Sequence, residues 1–127
     1  MTPKETILSF WQAMNSNDFH KASRWLSEDF QCIWPQSSEV IQGPQNFAEL
    51  NAHYPSQGKW KFVVNEIIEE NGKVVTDVSV SDGVQAARAI TFHTVEKGLI
   101  QKQVEFWPDN YDAPAWRKKW VQICQDI

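Results

Sequence analysis

The chain has 127 residues, the size of one ordinary domain, and is long enough to bury a single core without disulfides. We therefore expect one domain over residues 1–127. A formal net charge of -4 and a pI near 5.3, with no block of like charges, argue against nucleic acid and anionic membranes as partners.

Helices are predicted in the first half of the chain. A capping box, TPKE at residues 2–5, opens a first helix with an apolar stripe at helical spacing, made of Ile7, Phe10, Trp11 and Met14. Residues 19–26 form a second, short helix that the polar residues 27–29 end. Residues 30–34 then read as a short strand, and Gly43-Pro44 opens a third helix that stops near Tyr54.

From residue 59 onward the apolar pattern has a period of two. It predicts four strands, at 59–70, 73–81, 84–96 and 99–107. They are separated by Asn71-Gly72, Asp82-Gly83 and Lys97-Gly98, which are typical of tight hairpin turns. Helices followed by a meander predict an α+β domain.

A helix is also predicted at the C-terminus. It begins with Asp112 as its cap, and Trp116, Trp120 and Ile123 share one of its sides. This helix either closes a cavity or packs on a partner chain, and the periodicity fits both.

Two-residue turns also predict which side chains share a face of the sheet, because residues opposite each other point the same way. One face combines aromatic and charged residues: Phe62, Val64, Glu66, Val75, Asp77, Arg88, Ile90, Phe92, Glu105 and Trp107. The other is apolar: Val74, Val78, Val80, Ala87, Ala89, Val104 and Phe106. We expect the first to enclose a site. Val74, Val78, Val80, Val104 and Phe106 of the second face would form a homodimer contact, because monomers rarely expose large apolar patches.

Neither a metal ion nor an organic cofactor is expected. The histidines (His20, His53 and His93) are scattered, Cys32 and Cys124 form no metal-binding motif, and no Gly-rich phosphate loop is present. No stretch is long and apolar enough to span a membrane, and the N-terminus lacks a signal peptide pattern, so we expect a cytoplasmic protein.

Three segments carry a resemblance to a known family: NDFHKASRWLSEDFQCIWP, IQGPQNFAEL and EKGLIQKQVEFW. With the order of elements, they make the whole chain resemble the nuclear transport factor 2-like superfamily in its SnoaL-like branch. The resemblance implies a strongly bent antiparallel sheet that forms a cone, closed by the N-terminal helices around a cavity (a cystatin-like architecture), and a tendency to dimerise. The superfamily includes isomerases, cyclases, dehydratases, epoxide hydrolases and non-enzymatic binding modules.

Two activities of the superfamily can be compared with this chain residue by residue. The proton-transferring positions of the ketosteroid isomerases fall on Trp34, Phe10 and Ile90, which exchange no protons, so we do not expect that activity. The limonene epoxide hydrolases resemble the chain at Glu105, where they also place an acid. Their arginine and aspartate fall on Ser79 and Ser81, so two thirds of that triad is absent.

Three charged residues are candidates for catalysis. Glu105, enclosed by Val104, Phe106 and Trp107, is expected to have a raised pKa suited to acid or base work. Asp77 and Arg88, predicted to face each other, would rebuild an acid, arginine, acid set with Glu105, or would simply form a cross-strand ion pair.

Seven tryptophans and seven phenylalanines are the compositional anomaly, because large rings either fill a core or line a ligand pocket. The predicted ligand-binding residues are Trp11, Trp34, Tyr54, Trp60, Phe62, Ile90, Phe92, Trp107 and Trp116. The sequence thus predicts a pocket for a small apolar molecule, in a cofactor-free acid/base enzyme (isomerase, cyclase or hydrolase type). The alternatives are a non-catalytic binding protein and a structural dimerisation module.

Overall fold

A computed structural model describes residues 1–125 of the chain. The helices are α1 (Pro3–Asn15), α2 (Phe19–Ser23), α3 (Gly43–His53) and a C-terminal 3-10 helix (Ala115–Trp120). The strands are β1 (Leu26–Trp34), β2 (Glu39–Gln42), β3 (Lys61–Glu70), β4 (Lys73–Ser81), β5 (Ala86–Glu96) and β6 (Leu99–Phe106). None of the helices in this part of the chain is long and apolar enough to cross a membrane.

One curved sheet holds all six strands in the order β2-β1-β6-β5-β4-β3. The pairs are antiparallel except β1 with β6, which run parallel. The predicted α+β class, with a bent sheet closed by N-terminal helices and a short helix after it, is confirmed.

Helix α1 covers the inner face of this sheet. Its first turn is the predicted capping box, in which the Thr2 hydroxyl accepts from the Glu5 backbone N–H and the Glu5 carboxylate accepts from the Thr2 backbone N–H. The stripe predicted from its spacing is buried, with Phe10 and Trp11 at most 4% exposed. Phe10 also packs against Phe47 of α3, so two helices share one core with the sheet.

Two β-bulges place the residues of the predicted aromatic and charged face on opposite sides of the sheet. Asn65 of β3 and Gln101 of β6 have no partner on the adjacent strand, so the register shifts by one residue at each. A shift of one residue exchanges the two faces of a strand beyond it. The inner face therefore keeps Phe62, Val64, Glu105 and Trp107, whereas Glu66, Val75, Asp77, Arg88, Ile90 and Phe92 lie on the outer face.

The prediction that the second, apolar face lies on the outside of the sheet is wrong for the same reason. Val74, Val78, Val80 and Ala89 belong to the buried core beneath the helices, and Ala87 lies at the pocket described below. Only Val104 and Phe106 of the predicted set are on the outer side of the sheet.

Three further expectations require correction. The second helix is shorter than predicted, because Leu26 already belongs to β1 and residues 27–29 continue that strand instead of ending a helix. Strand β2 was not predicted, since it has only four residues and a single buried side chain. Asp112 does not cap the C-terminal helix, which begins after Pro114 and buries no side chain, so it does not close the cavity.

Two asparagines join α1 and the turn after it to the edge of the sheet. The Asn15 side chain donates to the Phe62 carbonyl at 2.8 Å and accepts from the Phe62 N–H at 2.7 Å. Asn17 makes the same pair of bonds with Trp60, at 2.7 and 2.8 Å. Because β3 is an edge strand, these amides take the place of a missing neighbour strand and satisfy its free backbone groups.

Replacing Asn15 with alanine should lower the free energy of unfolding by about 2 kcal/mol, because two partly buried backbone groups of Phe62 lose their partners. Urea denaturation measures this loss. Asn46→Ala is the matched control: its amide makes one exposed bond, to the Gln42 carbonyl, so a loss below about 0.5 kcal/mol is expected. Equal losses in the two variants would contradict the bridging role of Asn15.

Candidate functional site

A pocket of about 330 Å³ lies between the inner face of the sheet and helices α1 and α3. Most of its wall is aromatic or aliphatic: Phe10, Trp11, Met14, Trp34, Phe47, Tyr54, Trp60, Phe62, Val80, Ala86, Ala87 and Trp107. The polar residues of the wall are Ser37, Glu39, Asn51, Gln85, Gln103 and Glu105. An apolar cleft with a few convergent polar groups is the usual form of a small-molecule site.

Glu105 is the buried ionisable group of this wall, with 7% of its surface exposed. One carboxyl oxygen, Oε1, accepts from the indole N–H of Trp34 at 3.0 Å. The other, Oε2, accepts from the Thr91 hydroxyl at 2.6 Å. Both oxygens are thus held in place by donors on different strands, and the carboxyl has a fixed orientation at the pocket.

The position of Trp34 beside Glu105 results from the parallel pairing of β1 with β6. In that register Ile33 lies opposite Val104, so the next residues, Trp34 and Glu105, are neighbours at the same end of the two strands. Thr91 reaches the same carboxyl because it is the antiparallel partner of Glu105 on β5. Three strands therefore converge on one carboxyl group.

Burial raises the pKa of the Glu105 carboxyl above its ordinary value. The hydrogen bonds from Thr91 and Trp34, with a weaker contribution from Trp107, lower the pKa and only partly offset the burial. A carboxyl group of this kind can hold its proton at higher pH than an exposed glutamate, which suits a general acid or base.

The mouth of the pocket is a set of loops around Tyr54 and Trp60, whose rings pack edge to face with centroids 5.9 Å apart. Asp82, buried in the β4–β5 turn, ties these loops together by accepting from the backbone N–H groups of Gln57 and Gln85. Gly58 is required there, since a Cβ atom would lie 2.9 Å from the Asp82 carbonyl oxygen. The loops at the entrance are therefore held by hydrogen bonds from their backbone N–H groups to the Asp82 carboxylate.

The structure places six of the nine predicted ligand-binding residues at the pocket: Trp11, Trp34, Tyr54, Trp60, Phe62 and Trp107. The other three were misplaced. Ile90 and Phe92 lie on the outer face because of the β6 bulge, and Trp116 is 75% exposed on the C-terminal 3-10 helix. That any of the six binds a ligand stays a prediction.

Arg88 Nε lies 2.7 Å from Asp77 Oδ1, but on the outer face. The two residues are not directly opposite each other as predicted, because the β4–β5 turn has four residues instead of two, so Asp77 faces Ile90 and Arg88 faces Ser79. Their mutual hydrogen bonds lower the pKa of Asp77 and raise that of Arg88. Neither residue lines the pocket, so the predicted joint set with Glu105 does not assemble. The interpretation of a cross-strand ion pair describes them better.

Several wall residues were missed by the sequence reasoning, among them Gln103, Phe47 and Met14. Gln103 is two residues before Glu105 on the same strand, and that spacing alone places the two side chains on one face. Phe47 and Met14 lie on helices, and only the tertiary packing shows which helical side chains border a cavity.

Neither a metal site nor a reactive thiol is found at the pocket. No group of three or more His, Cys, Asp or Glu side chains in residues 1–125 is arranged to hold a metal ion. Cys32 is buried next to the site, and burial, with a further contribution from the charge of Glu105, raises the pKa of its thiol, which makes it a poor nucleophile.

Comparison with known proteins agrees with this geometry. A family model described as a SnoaL-like domain matches residues 7–103. The chain belongs to this family. A search of curated proteins found no significant match.

Solved structures share the fold of this SnoaL-like domain. A proposed ketosteroid isomerase from Kribbella flavida has a TM-score of 0.87 at 24% identity, over 96% of this chain and 89% of that one. An NTF2-like protein of unknown function from Burkholderia xenovorans has a TM-score of 0.79 at 29% identity, over 96% and 94% of the two chains. A LEH-like epoxide hydrolase from M. tuberculosis has a TM-score of 0.68 at 15% identity, over 84% and 82%. One of these neighbours is a proposed isomerase, one is of unknown function and one is an epoxide hydrolase, so the shared fold leaves the reaction open.

The raised pKa of Glu105 predicts a pH-dependent penalty on stability. At a pH below the pKa of an unfolded glutamate, the Glu105 carboxyl is neutral in both the folded and the unfolded chain. Between that pKa and the raised pKa of the folded chain, the carboxyl ionises only in the unfolded chain, which favours unfolding. Stability is therefore lost as the pH rises to the pKa of the folded chain. Glu105→Gln lacks this loss. Wild-type stability should therefore fall relative to that of the variant, by about 1.4 kcal/mol for each pH unit between the two pKa values.

Urea unfolding of both proteins between about pH 4 and pH 8 measures the difference, from which all other titrating groups cancel. A difference that is constant with pH, or that grows in favour of the wild type, would show that the Glu105 pKa is not raised.

Proposed function

We propose that this SnoaL-like domain is a cofactor-free acid/base enzyme of the isomerase or cyclase type, acting on a small and largely apolar substrate. The observation that carries the proposal is the buried Glu105 carboxyl, held by Trp34 and Thr91 at an aromatic pocket and given a raised pKa by burial. Such a carboxyl can protonate a substrate oxygen and, as its conjugate base, take a proton back from carbon.

The number of ionisable groups at the pocket favours this reaction class over hydrolysis. The other two ionisable side chains of the wall, Glu39 and Tyr54, are exposed at the mouth. An isomerisation or cyclisation needs no net proton change, so one group that donates and reclaims a proton suffices. Hydrolysis requires a second group to activate water, and the residues at the corresponding hydrolase positions, Ser79 and Ser81, are outside the wall.

A non-catalytic binding protein is the second candidate. It is favoured by the absence of a second buried ionisable side chain in the part of the wall that residues 1–125 form. In such a protein Glu105 would contribute a hydrogen bond to an apolar ligand and no proton transfer.

The substitution Glu105→Gln separates the two candidates. Glutamine keeps the shape, with its oxygen accepting from Trp34 and its amide nitrogen donating to the Thr91 hydroxyl, but it cannot transfer a proton. We expect turnover to fall by about 10²- to 10⁴-fold while ligand affinity changes by about tenfold or less. Small apolar carbonyl compounds and epoxides would be screened by thermal shift, and the hits would then be assayed with both proteins.

The matched control is Glu96→Gln, an exposed glutamate at the end of β5 and far from the pocket wall. It should retain wild-type turnover. If a ligand binds but neither protein converts it, the binding-protein candidate replaces the enzyme.

We further propose that two chains form a homodimer through the outer face of the sheet. Two rows of directly opposed residues carry this face, Val75, Phe92 and Val104 in one row and Asp77, Ile90 and Phe106 in the other. Phe92 is 49% exposed and stacks edge to face on Phe106. An apolar row beside the Asp77 and Arg88 ion pair presents both signs of charge, which lets a surface complement itself about a two-fold axis.

Phe92→Glu should convert the dimer into a folded monomer, because it places a charge in the centre of the apolar row formed by Val75, Phe92 and Val104. Sedimentation velocity measures the change. Leu8→Glu, at a 40% exposed position on α1, should remain dimeric as the control. A wild-type chain that sediments as a monomer would contradict the proposed contact.

A further inference from the structure

A second polar group lies beside Glu105 in the pocket wall. Gln103 precedes Glu105 by two residues on β6, and both side chains border the pocket. Residues two apart on a strand are separated by about 7 Å. The Gln103 and Glu105 side chains are therefore close enough for one small ring compound to contact both.

The amide of Gln103 is held from behind by a buried histidine. Its Nε2 atom lies 3.1 Å from His93 Nδ1, and His93 Nε2 lies 2.8 Å from the Thr76 hydroxyl. All three side chains are at most 1% exposed, and the imidazole packs edge to face on Phe10 and Trp11. The ring is buried and packed on two aromatic side chains, so it holds the amide of Gln103 in place.

The orientation of the Gln103 amide sets the position of the imidazole proton. With the amide nitrogen, which only donates, facing the ring, His93 Nδ1 accepts and carries no proton, and the single proton of the neutral ring is on Nε2, facing Thr76. Burial lowers the pKa of His93 to about 3, so the ring stays neutral at physiological pH. The arrangement is thus independent of pH in that range.

The hydrogen bond to His93 uses the nitrogen of the Gln103 amide and leaves its oxygen available. Within residues 1–125 it has no hydrogen-bond partner, yet it is not among the sealed and unpaired side-chain atoms there, which are Thr6 Oγ1 and Trp11 Nε1. It therefore keeps a small exposed surface, and because Gln103 lines the pocket, that surface can face the pocket volume. A carbonyl oxygen in that position can only accept a hydrogen bond.

Protonated Glu105 can donate a hydrogen bond, whereas the Gln103 oxygen can only accept one. The indole of Trp34 only donates, so it cannot receive that proton. The Thr91 hydroxyl, which donates to the ionised carboxylate, can turn to accept this proton, and so can a ligand atom in the pocket. A ligand with a free lone pair can therefore take the proton of Glu105 as a hydrogen bond.

We propose that Gln103 and Glu105 form a two-point recognition site for a neutral, largely apolar ring compound that carries both a carbonyl oxygen and a separate hydroxyl or N–H group. Glu105 donates to the carbonyl oxygen, Gln103 accepts from the hydroxyl or N–H, and His93 is the positioning residue that directs the Gln103 oxygen into the pocket. This assignment rests on the proposed function, since it places the ligand at Glu105. Hydrocarbons and simple ketones fit less well, because they would displace water from the Gln103 oxygen without replacing its hydrogen bond.

The first test needs no ligand. Proton–nitrogen NMR of the imidazole ring of the wild-type protein reports which nitrogen of His93 carries the proton. We expect the proton on Nε2 at neutral pH. A proton on Nδ1 would mean that Gln103 turns its oxygen toward His93 and its NH₂ group toward the pocket, which would overturn the assignment of an acceptor.

The second test measures the dissociation constants of four bicyclic probes by calorimetry. They are tetralin, α-tetralone, the tetralone with a hydroxyl group on the ring carbon opposite the carbonyl, and the methyl ether of that alcohol. The hydroxy-ketone should bind the wild type about tenfold more tightly than α-tetralone or the methyl ether. Gln103→Met, which keeps the length of the side chain and removes the amide, should abolish this preference and leave α-tetralone binding unchanged.

Equal affinities of the wild type for the hydroxy-ketone and the methyl ether would overturn the proposal, as would failure of all four probes to bind. So would a preference for the hydroxyl group that survives in Gln103→Met. The proposed catalytic role of Glu105 fails separately, if Glu105→Gln retains full turnover. The two-point site can therefore be wrong while the acid/base function stands, and the converse also holds.

Discussion

The parallel pairing of β1 with β6 is the constraint on which the pocket depends. It joins the first strand of the chain to the last and brings Trp34 against Glu105, residues 71 positions apart in the sequence. The antiparallel meander alone would place Thr91 beside the carboxyl but would leave Oε1 without its indole donor. Because β2 and α3 follow β1 directly, the same pairing also positions the wall that α3 contributes.

Burial of Glu105 affects both the stability of the fold and the pKa of the carboxyl group. A carboxyl group among indole rings loses hydration, and its hydrogen bonds recover only part of that loss, so the proton is retained to higher pH. The fold around it has a core in which Ile7, Phe10 and Phe30 are almost fully buried. Perturbed groups of this kind concentrate at functional sites, where a residue serves the reaction rather than the fold.

The two faces of the sheet have separate roles in this picture. The inner face supports the pocket, with the polar residues Gln103 and Glu105 next to aromatic rings, whereas the outer face combines exposed apolar rows with the Asp77 and Arg88 ion pair. Family membership explains the common scaffold, and neighbours of similar fold include a proposed ketosteroid isomerase and an LEH-like epoxide hydrolase, so the scaffold alone does not name a reaction. Any specificity of this chain must therefore be sought in the side chains of its pocket, such as Gln103 and Glu105.

The sequence by itself determined the order of elements, the α+β class and the aromatic character of the pocket, because capping boxes, Asn-Gly and Asp-Gly turns and alternating residues act over a few positions. It also singled out Glu105, since a lone acid between apolar neighbours is visible without a structure. Only the tertiary structure decided which residues join Glu105. The bulges at Asn65 and Gln101 each exchange the faces of a strand through one extra residue, and no local pattern marks them. The bulges moved Asp77 and Arg88 outward and placed Thr91 opposite Glu105, because register is a property of paired strands and not of either strand alone.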